Sequence, residues 1–282
     1  MKGTKMRSVI LITGCSSGIG LDCALKFQRK GWLVIASCRN IEDAKFLRIK
    51  YGLDTVHIDY EKPETIKSGF KKALKLSYGR LDVLFNNGAY AIPAAVEDIP
   101  TDALRAIFEA NFFGWHSLTR LALPVMFSQN SGRIIQNSSV LGFAAMQFRG
   151  AYVATKFALE GLTDTMRLEL DGTGVYAVLI EPGPIDTKIR NNALLQFNKW
   201  ISWHGARQKS TYRNKLIPRL STESTEKDLF QLPASSVSEA VWQASTARKP
   251  RARYRVTWAT TLMMLTKRLT PTWLTDSISS HH

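Results

Sequence analysis

The sequence predicts an α/β fold with a doubly wound parallel sheet, in a single domain followed by a C-terminal helical tail. Strand-like apolar runs alternate with segments of helical periodicity from residue 8 to residue 180. A glycine-rich segment, residues 13–20, joins the first strand to the first helix. No Gly/Ser-rich linker, charge block or repeat marks a domain boundary in the 282 residues. Such alternation gives a parallel sheet covered by helices, with ligands bound at the carboxyl ends of the strands.

The strands are predicted from short, continuously apolar runs, which are typical of strands buried on both faces. They are predicted at residues 8–13, 32–37, 55–58, 81–85, 132–138, 175–180 and 254–257. Helical periodicity fills the intervals between them. Helices are predicted after the glycine-rich segment and at residues 41–50, 63–78, 101–127, 151–170 and 235–247, with a final one in the tail. Pro63 suits the first turn of its helix, where a missing N–H costs nothing.

Two segments depart from this alternation. Residues 188–233 mix aromatic with basic and polar side chains, and we expect them to form a mobile lid over the substrate. Residues 1–257 would form the Rossmann-like domain that carries this lid segment. Residues 258–282, the tail, place Trp258, Leu262, Leu265 and Leu269 at helical spacing. We expect this amphipathic tail to dock on its own domain, on a second subunit or weakly on a membrane surface.

Cysteine content and hydropathy indicate a cytoplasmic protein. The amphipathic tail is compatible with peripheral contact between this protein and a membrane. The cysteines are odd in number, namely Cys15, Cys23 and Cys38, which favours reduced thiols. The apolar run 9–12 is too short for a signal sequence and is taken as the first strand. No run reaches the roughly 18 to 20 apolar residues that a membrane span requires.

The net charge of +15 favours anionic ligands and acidic surfaces. Part of this charge is concentrated in a basic cluster. The cluster consists of Arg248, Lys249, Arg251, Arg253 and Arg255. A solvated basic face explains it first, attraction to lipid phosphates second and nucleic acid third. Because no segment has the pattern of a nucleic-acid recognition module, we expect no nucleic-acid partner.

The glycine-rich segment predicts a dinucleotide site. Glycines between a strand and a helix let backbone amides approach a pyrophosphate at the positive end of the helix dipole. The spacing is GxxxGxG, and the binding residues predicted here are Gly14, Ser16, Ser17, Gly18, Ile19 and Gly20. At the end of the second strand the chain reads Ser37-Cys38-Arg39-Asn40, which includes Arg39 and no acidic residue. A guanidinium there accommodates the 2′-phosphate of NADP, so we expect NADP(H) as the cofactor.

A further set of motifs in this order resembles the short-chain dehydrogenase/reductase family over residues 7–187. The set consists of TGCSSGIG at 13–20, Asp59, NNGA at 86–89, Asn111, Ser139, Tyr152, Lys156 and PG at 182–183 with Thr187. The branch it resembles contains NADP-dependent bacterial aldehyde reductases and 17β-hydroxysteroid and retinol dehydrogenases. One departure is that the family usually has Asn-Asn-Ala-Gly where this chain ends in Gly88-Ala89, for which we expect a locally altered turn and an intact site.

The resemblance implies catalytic roles that chemistry supports. Tyr152 would protonate the carbonyl oxygen, or act as the base in the reverse direction. Lys156, four residues on, shares its helix face, and an ammonium there would favour the phenolate and could bond the nicotinamide ribose. Ser139 would hold the carbonyl oxygen, and its neighbour Ser138 would point away because side chains alternate along a strand. Asn111 would anchor a water that relays protons to Lys156, or else satisfy local backbone as a core amide.

The resemblance also assigns the remaining cofactor contacts. Thr187 would bond the nicotinamide carboxamide, with Pro182 and Gly183 behind it, and Asp59 would lie at the adenine amino group. Asn86 and Gly88 would pass close to the adenosine. The reaction would be hydride transfer between NADP(H) and a carbonyl or alcohol.

The substrate is predicted to be a small hydrophobic carbonyl or alcohol, because the lid segment carries an apolar patch without a carboxylate clamp. The patch consists of Leu194, Leu195, Phe197, Trp200, Ile201 and Trp203. Reduction of aldehydes is the first hypothesis, with a hydroxysteroid or retinol dehydrogenase as the alternative. A catalytically silent NADP(H)-binding sensor is the alternative of another class. We predict no metal site, since the internal histidines are scattered, and the resemblance implies a homodimer or homotetramer.

Overall fold

A computed structural model describes residues 7–221 and 230–280 and confirms the predicted fold class. Seven strands form one sheet in the order β3-β2-β1-β4-β5-β6-β9, and every neighbouring pair is parallel. The strands are β1 (Val9–Ile12), β2 (Leu33–Cys38), β3 (Asp54–His57), β4 (Val83–Asn86), β5 (Gly132–Asn137), β6 (Val175–Glu181) and β9 (Arg253–Arg255). Strands β2 and β3 are added on one side of β1, and β4, β5 and β6 are added on its other side. This change of strand order falls between β1 and β4, which is where doubly wound sheets bind ligands.

Helices cover both faces of this sheet. The helices of the repeating strand–helix part are α1 (Gly18–Arg29), α2 (Ile41–Tyr51), α3 (Pro63–Leu76), α4 (Thr101–Phe108), α5 (Gly114–Ser128) and α6 (Gly150–Glu169). The later helices are α7 (Ile189–Trp200), α8 (Lys209–Thr211), α9 (Ile217–Leu220), α10 (Ala234–Thr246), α11 (Trp258–Leu269) and α12 (Thr272–Ser280). Two short strands, β7 (Ile185–Asp186) and β8 (Leu232–Pro233), form a separate parallel pair that the sequence analysis missed.

Alternate side chains of the strands feed two apolar cores, one on each face of the sheet. Ile10 and Ile12 of β1 pack with Phe27 of α1 and Val241 of α10. Leu11 lies on the opposite face, with the α3 and α5 side chains. Because both faces are buried, the strands are continuously apolar, as the sequence pattern required.

The helix predicted over residues 101–127 is interrupted by a π-helical turn at Glu109–Phe113. Asn111 lies in this turn and its side chain is fully buried. Such turns inside α-helices are frequent at functional sites. The chain is helical throughout residues 101–128, as predicted, but the π-helical turn was not foreseen because hydrophobic periodicity does not detect a single inserted residue in a hydrogen-bond ladder.

The lid segment is more ordered than the sequence predicted. It contains α7, α8, α9 and a π-helical turn at Tyr212–Leu216, and the residues of the lid segment at 222–229 lie outside the described part of the chain. Phe197 and Ile201 of the predicted apolar patch are buried, whereas Leu195 is exposed. The Tyr212 hydroxyl accepts from the Ala95 amide at 2.9 Å and donates to Asp98. The patch therefore belongs largely to a core that the lid segment shares with residues around 90–110, which the mixed composition concealed.

The tail forms two helices, α11 and α12, because Pro271 cannot continue the first of them. The terminal pair His281-His282 lies outside the described residues. Within residues 7–221 and 230–280, no helix combines the length and the apolar character needed to cross a membrane.

Candidate active site

The glycine-rich segment forms a tight cradle at the carboxyl end of β1. Gly14 has a φ of +66°, a left-handed conformation that favours glycine. A Cβ on Gly14 would lie 2.6 Å from the Cα of Gly88, and a Cβ on Gly20 would lie 2.3 Å from the Gly14 oxygen. Ser17 precedes α1 and makes no side-chain cap. The first amides of α1 are thus left without a side-chain acceptor, as an anion-binding helix end requires.

Neighbouring strands hold this cradle in place. Thr13 Oγ1 accepts from the amides of Asn87 and Gly88 at 2.8 and 3.2 Å. The side-chain nitrogen of Asn87, Nδ2, donates to the Thr13 carbonyl oxygen at 2.9 Å. Gly88 is needed at this position because the Gly14 backbone passes so close to it.

The side chain of Asn86 bonds away from the cradle, so a cofactor contact at this residue would have to come from its backbone. Its Oδ1 lies 2.9 Å from the Tyr60 hydroxyl, and its Nδ2 donates to Thr119 and Gln136 at 3.1 and 2.9 Å. These three partners use the buried amide fully. Sequence spacing could not distinguish it from Asn87, because both asparagines follow the same strand.

Arg39 and Asp59 lie at the same edge of the sheet, beyond the ends of β2 and β3. Arg39 is exposed. Asp59 Oδ1 accepts from the Glu61 amide at 3.2 Å. Arg39 and Asp59 both influence the Tyr90 hydroxyl. Burial is the largest cause of the raised Tyr90 pKa, and the carboxylates of Glu61 and Asp59 add to it. The Arg39 charge opposes that rise. These two predicted cofactor contacts therefore lie near one another at the carboxyl edge of the sheet.

Ser139, Tyr152 and Lys156 converge beyond the end of β5. Ser139 lies between β5 and a 3₁₀ turn at Val140–Gly142, and its side chain hydrogen-bonds the Tyr152 phenol. Tyr152 lies in the first turn of α6 and is partly buried. The Lys156 amine is one turn further along, with its Nζ 5.5 Å from the centroid of the Tyr152 ring. The β5–α6 connection thus brings three predicted site residues together.

The Lys156 amine is held inside the protein. Its side chain is 1% exposed, and Nζ donates to the Asn137 carbonyl oxygen at 2.7 Å. Nζ also lies 4.3 Å from the centroid of the Trp115 ring. The lysine therefore has a fixed position, unlike a surface lysine with four freely rotating bonds.

Burial dominates the electrostatics of this pair. Burial raises the pKa of the Tyr152 phenol to about 12, while the Ser139 hydrogen bond and the Arg149 charge oppose the rise. Burial also lowers the pKa of Lys156 to about 7, against the opposing effect of the Glu160 charge. This differs from the expectation that an ammonium would favour the phenolate. Desolvation is the largest cause of both pKa shifts, so the phenol keeps its proton at neutral pH.

Asn111 is used by local backbone. Its Nδ2 donates to the Tyr90 carbonyl oxygen at 2.8 Å, and its Oδ1 accepts from the Tyr90 amide at 3.1 Å. A longer contact of 3.4 Å reaches Thr155 Oγ1, next to Lys156. Its side chain therefore fits the core-amide alternative. It also fastens the segment after β4 against α6.

The three residues assigned to the nicotinamide end line the gap between β6 and the glycine-rich segment. The Pro182 carbonyl oxygen accepts from the Val140 amide at 2.8 Å. The Thr187 methyl group would lie 3.1 Å from a Cβ on Gly18. A Cβ on Gly183 would lie 2.2 Å from Thr257 Oγ1, so the start of the tail packs directly behind Gly183.

A buried ion network lies behind Lys156, and the sequence analysis missed it. Arg253 Nε lies 2.9 Å from Glu181 Oε1, and Arg253 Nη2 lies 3.2 Å from Glu160 Oε2. Arg255 Nε lies 3.3 Å from Glu181 Oε2. Burial raises the pKa of Glu160 to about 7. The basic cluster is thus divided: Arg253 and Arg255 pair internally, and the other three cations are exposed.

Glu160 also supports the turn that carries Ser139. A Cβ on Gly142 would lie 3.0 Å from Glu160 Oε1 and 2.6 Å from Ser138 Oγ, so the turn rests directly on both side chains. The neighbouring Ser138 hydroxyl opposes the rise in the Glu160 pKa. Ser138 therefore faces the ion network, whereas Ser139 faces Tyr152. A glutamate four residues after Lys156 was the available signal in the sequence.

A cavity of about 740 Å³ lies between the loop before α6 and the lid segment. Its lining is mixed: Ala95, Met146, Phe148 and Leu216 are apolar, and Arg149, Lys215 and Arg219 are cationic. The remaining lining residues are polar. The lid segment therefore contributes apolar and cationic side chains to this cavity. The purely apolar lining expected from the sequence is not found among these residues.

The residues present fit a dinucleotide cofactor. The close backbone approach at Gly14, Gly20 and Gly88 forms a cradle that any side chain would fill. The uncapped start of α1 supplies amides for phosphate, and Arg39 lies past β2 without an acidic neighbour in sequence. Gly14, Ser16, Ser17, Gly18, Ile19 and Gly20 would hold the phosphates, and Arg39 and Asp59 the adenosine end.

Comparisons with known proteins agree with this geometry. The family model described as short chain dehydrogenase matches residues 8–196. The uncharacterized oxidoreductase YbbO of Escherichia coli (strain K12) is 35% identical over 278 residues, which cover 99% of this chain and 96% of that protein. The NADPH-dependent 3-dehydrocapnine reductase of Ornithobacterium rhinotracheale is 33% identical over 253 residues, with 87% of each chain covered. A crystal structure of a short-chain dehydrogenase from Streptomyces avermitilis superimposes with a TM-score of 0.77 at 28% identity, covering 98% of this chain and 94% of that one.

Replacing Lys156 by methionine should stabilise the fold most at low pH. The folded pKa of about 7 lies below the value of 10.5 for an unperturbed lysine. Between these values the unfolded chain binds more protons, so the stability of the parent rises with pH, by at most about 1.4 kcal/mol per unit. Below pH 7 the folded protein carries the full cost of the buried charge.

Urea unfolding of the parent and Lys156→Met at pH 6, 8 and 9.5 measures this difference, with Lys199→Met as the control for an exposed lysine. The stability advantage of Lys156→Met should shrink as pH rises. A constant difference across the three pH values would contradict the burial of an ionisable amine.

Proposed function

The chain belongs to the short-chain dehydrogenase/reductase family, and we propose that it reduces hydrophobic aldehydes with NADPH. One observation carries this proposal: the Tyr152 phenol, the Ser139 hydroxyl and the buried Lys156 amine lie together beyond β5, on the edge of the sheet that also holds the glycine cradle. Proton donation to a carbonyl oxygen is the chemistry that this group of side chains can perform.

Tyr152 is the proton donor in this scheme. Because its pKa is about 12, the phenol holds its proton at neutral pH and is ready to give it to an oxygen that gains negative charge. The reduced nicotinamide supplies the hydride to the carbonyl carbon when it is bound. Ser139 hydrogen-bonds the same phenol and would fix the carbonyl oxygen beside it.

Lys156, one turn after Tyr152 on α6, supplies positive charge near the phenol when its amine is protonated. Phenolate formed by proton transfer would be stabilised by an ammonium at this distance, and the growing negative charge would in turn draw a proton to Lys156. A lysine with a pKa of about 7 can gain or lose a proton at neutral pH with little cost. It would also donate hydrogen bonds to the ribose hydroxyls of the cofactor.

The preference for NADP(H) rests on Arg39 and on a relative. Arg39 is exposed past β2, and no acidic residue stands there to accept ribose hydroxyls. The 33% identical relative from Ornithobacterium rhinotracheale is named for its dependence on NADPH. Both favour the phosphorylated cofactor.

Tyr152→Phe should bind NADPH as the parent does and lose reduction by about 10²- to 10⁴-fold, because only the proton donor is removed. Both proteins are assayed by NADPH absorbance with straight-chain aldehydes of increasing length, beside a retinoid and a ketosteroid. For the parent, kcat/KM should rise with chain length. Tyr176→Phe, on β6 and away from the site, is the control.

The outcomes separate the parts of the proposal. Unchanged reduction by Tyr152→Phe would contradict the role of the phenol. Efficiency that falls as the aldehyde lengthens would remove the hydrophobic substrate. NADPH binding without turnover of any carbonyl by the parent would favour the sensor alternative.

Arg39→Asp should reverse the cofactor preference. The variant loses a charge-assisted pair of hydrogen bonds to the phosphate and gains a carboxylate that repels it. The kcat/KM for NADPH should therefore fall by about tenfold to a hundredfold. NADH should be used as well as before or better. Arg29→Asp, which makes the same charge change in the last turn of α1, is the control, and an equal loss in both variants would mean that only general charge is involved.

A further inference from the structure

A stripe of exposed apolar side chains runs along α11. Trp258, Leu262, Leu265 and Leu269 are 67%, 47%, 44% and 79% exposed. At about 100° per residue these four positions fall within roughly 60° of the helix circumference. Trp273 on α12, 70% exposed, lies further along the chain. We call these five side chains the tail stripe.

The orientation of α11 is fixed by contacts on its opposite side. Thr260 is fully buried and its hydroxyl lies 2.8 Å from that of Thr257. Lys267 Nζ lies 4.7 Å from the centroid of the Phe157 ring on α6. Because this opposite side packs on the domain, the tail stripe faces outward.

The electrostatic surroundings of the tail stripe are positive. No acidic residue occurs between Glu239 and Asp276. Lys267 and Arg268 are exposed in the last turn of α11. The whole chain carries a net charge of +15. Self-pairing of this face would bring like charges together, since a two-fold contact uses the same patch on both copies.

We propose that the tail stripe binds the surface of an anionic lipid bilayer. Leucines would enter the acyl boundary, and Arg268, on the flank of the tail stripe, would meet lipid phosphates. Tryptophan at the first position of α11, and again on α12, suits the interface between headgroups and acyl chains. Thr257, the residue that caps α11, leaves no room for a side chain at position 183. The proposal stands whatever the reaction is.

The test is flotation of the full chain with vesicles of phosphatidylglycerol and phosphatidylcholine, compared with vesicles of phosphatidylcholine alone. The parent should float with the anionic vesicles and detach as salt is raised. Leu262→Gln/Leu269→Gln should reduce the bound fraction by at least about tenfold, because two exposed leucines no longer gain burial. Both positions are exposed, so folding should be unaffected, which circular dichroism checks.

Ile49→Gln is the matched control, since Ile49 is 86% exposed on α2, away from the tail. It should float like the parent. Equal flotation of the parent and the double variant, or no flotation of the parent, would overturn the proposal. Light scattering completes the test, because a double variant that changes oligomeric state in solution without changing flotation would assign the tail stripe to a second copy.

Discussion

The structure depends on the confinement of one amine. Lys156 belongs to a long helix, yet its Nζ is withdrawn from water, bonded to the Asn137 carbonyl oxygen and covered by the Trp115 ring. Removing an ammonium from water is costly, and the protein relieves that cost by lowering its pKa to about 7. The same confinement fixes the distance from Lys156 to Tyr152. A flexible surface lysine could not hold it.

The ion network beyond Lys156 connects this confinement to the end of the chain. Glu160 faces Lys156 on one side and Arg253 of β9 on the other, and the turn that carries Ser139 rests upon it. β9 is the last strand added to the sheet, and the tail follows it directly. The edge of the sheet that carries Ser139 is therefore supported by Arg253, about 100 positions downstream of Tyr152.

The sequence predicted the sheet, its parallel order of strands and helices, and the convergence of Ser139, Tyr152 and Lys156, because each follows from local periodicity or from a motif at a strand end. Of the features that escaped it, three show why. The π-helical turn at Asn111 changes one backbone bond and leaves the apolar pattern intact. The helices of the lid segment bury Phe197 and Tyr212 through contacts that are distant in sequence.

The third feature is the direction in which the Tyr152 pKa is shifted, which is upward and not downward. A motif shows that a tyrosine and a lysine are neighbours, but the pKa of each depends on how far both are withdrawn from water. The same limit explains Asn86, whose burial among Tyr60, Thr119 and Gln136 depends on three separate segments. It also explains Arg253 and Arg255, which look like surface cations in the sequence and pair with Glu181 in the fold.

The central claim is that burial, and not the neighbouring amine, sets the protonation of Tyr152 in the protein alone. It is tested most directly by NMR titration of the protein with ¹³Cζ-labelled tyrosine, with the Tyr152 signal assigned by its loss in Tyr152→Phe. The Tyr152 resonance should keep its protonated shift through pH 10 and move only near pH 12. A midpoint at or below pH 10 would contradict the claim and restore the interpretation in which the ammonium acidifies the phenol.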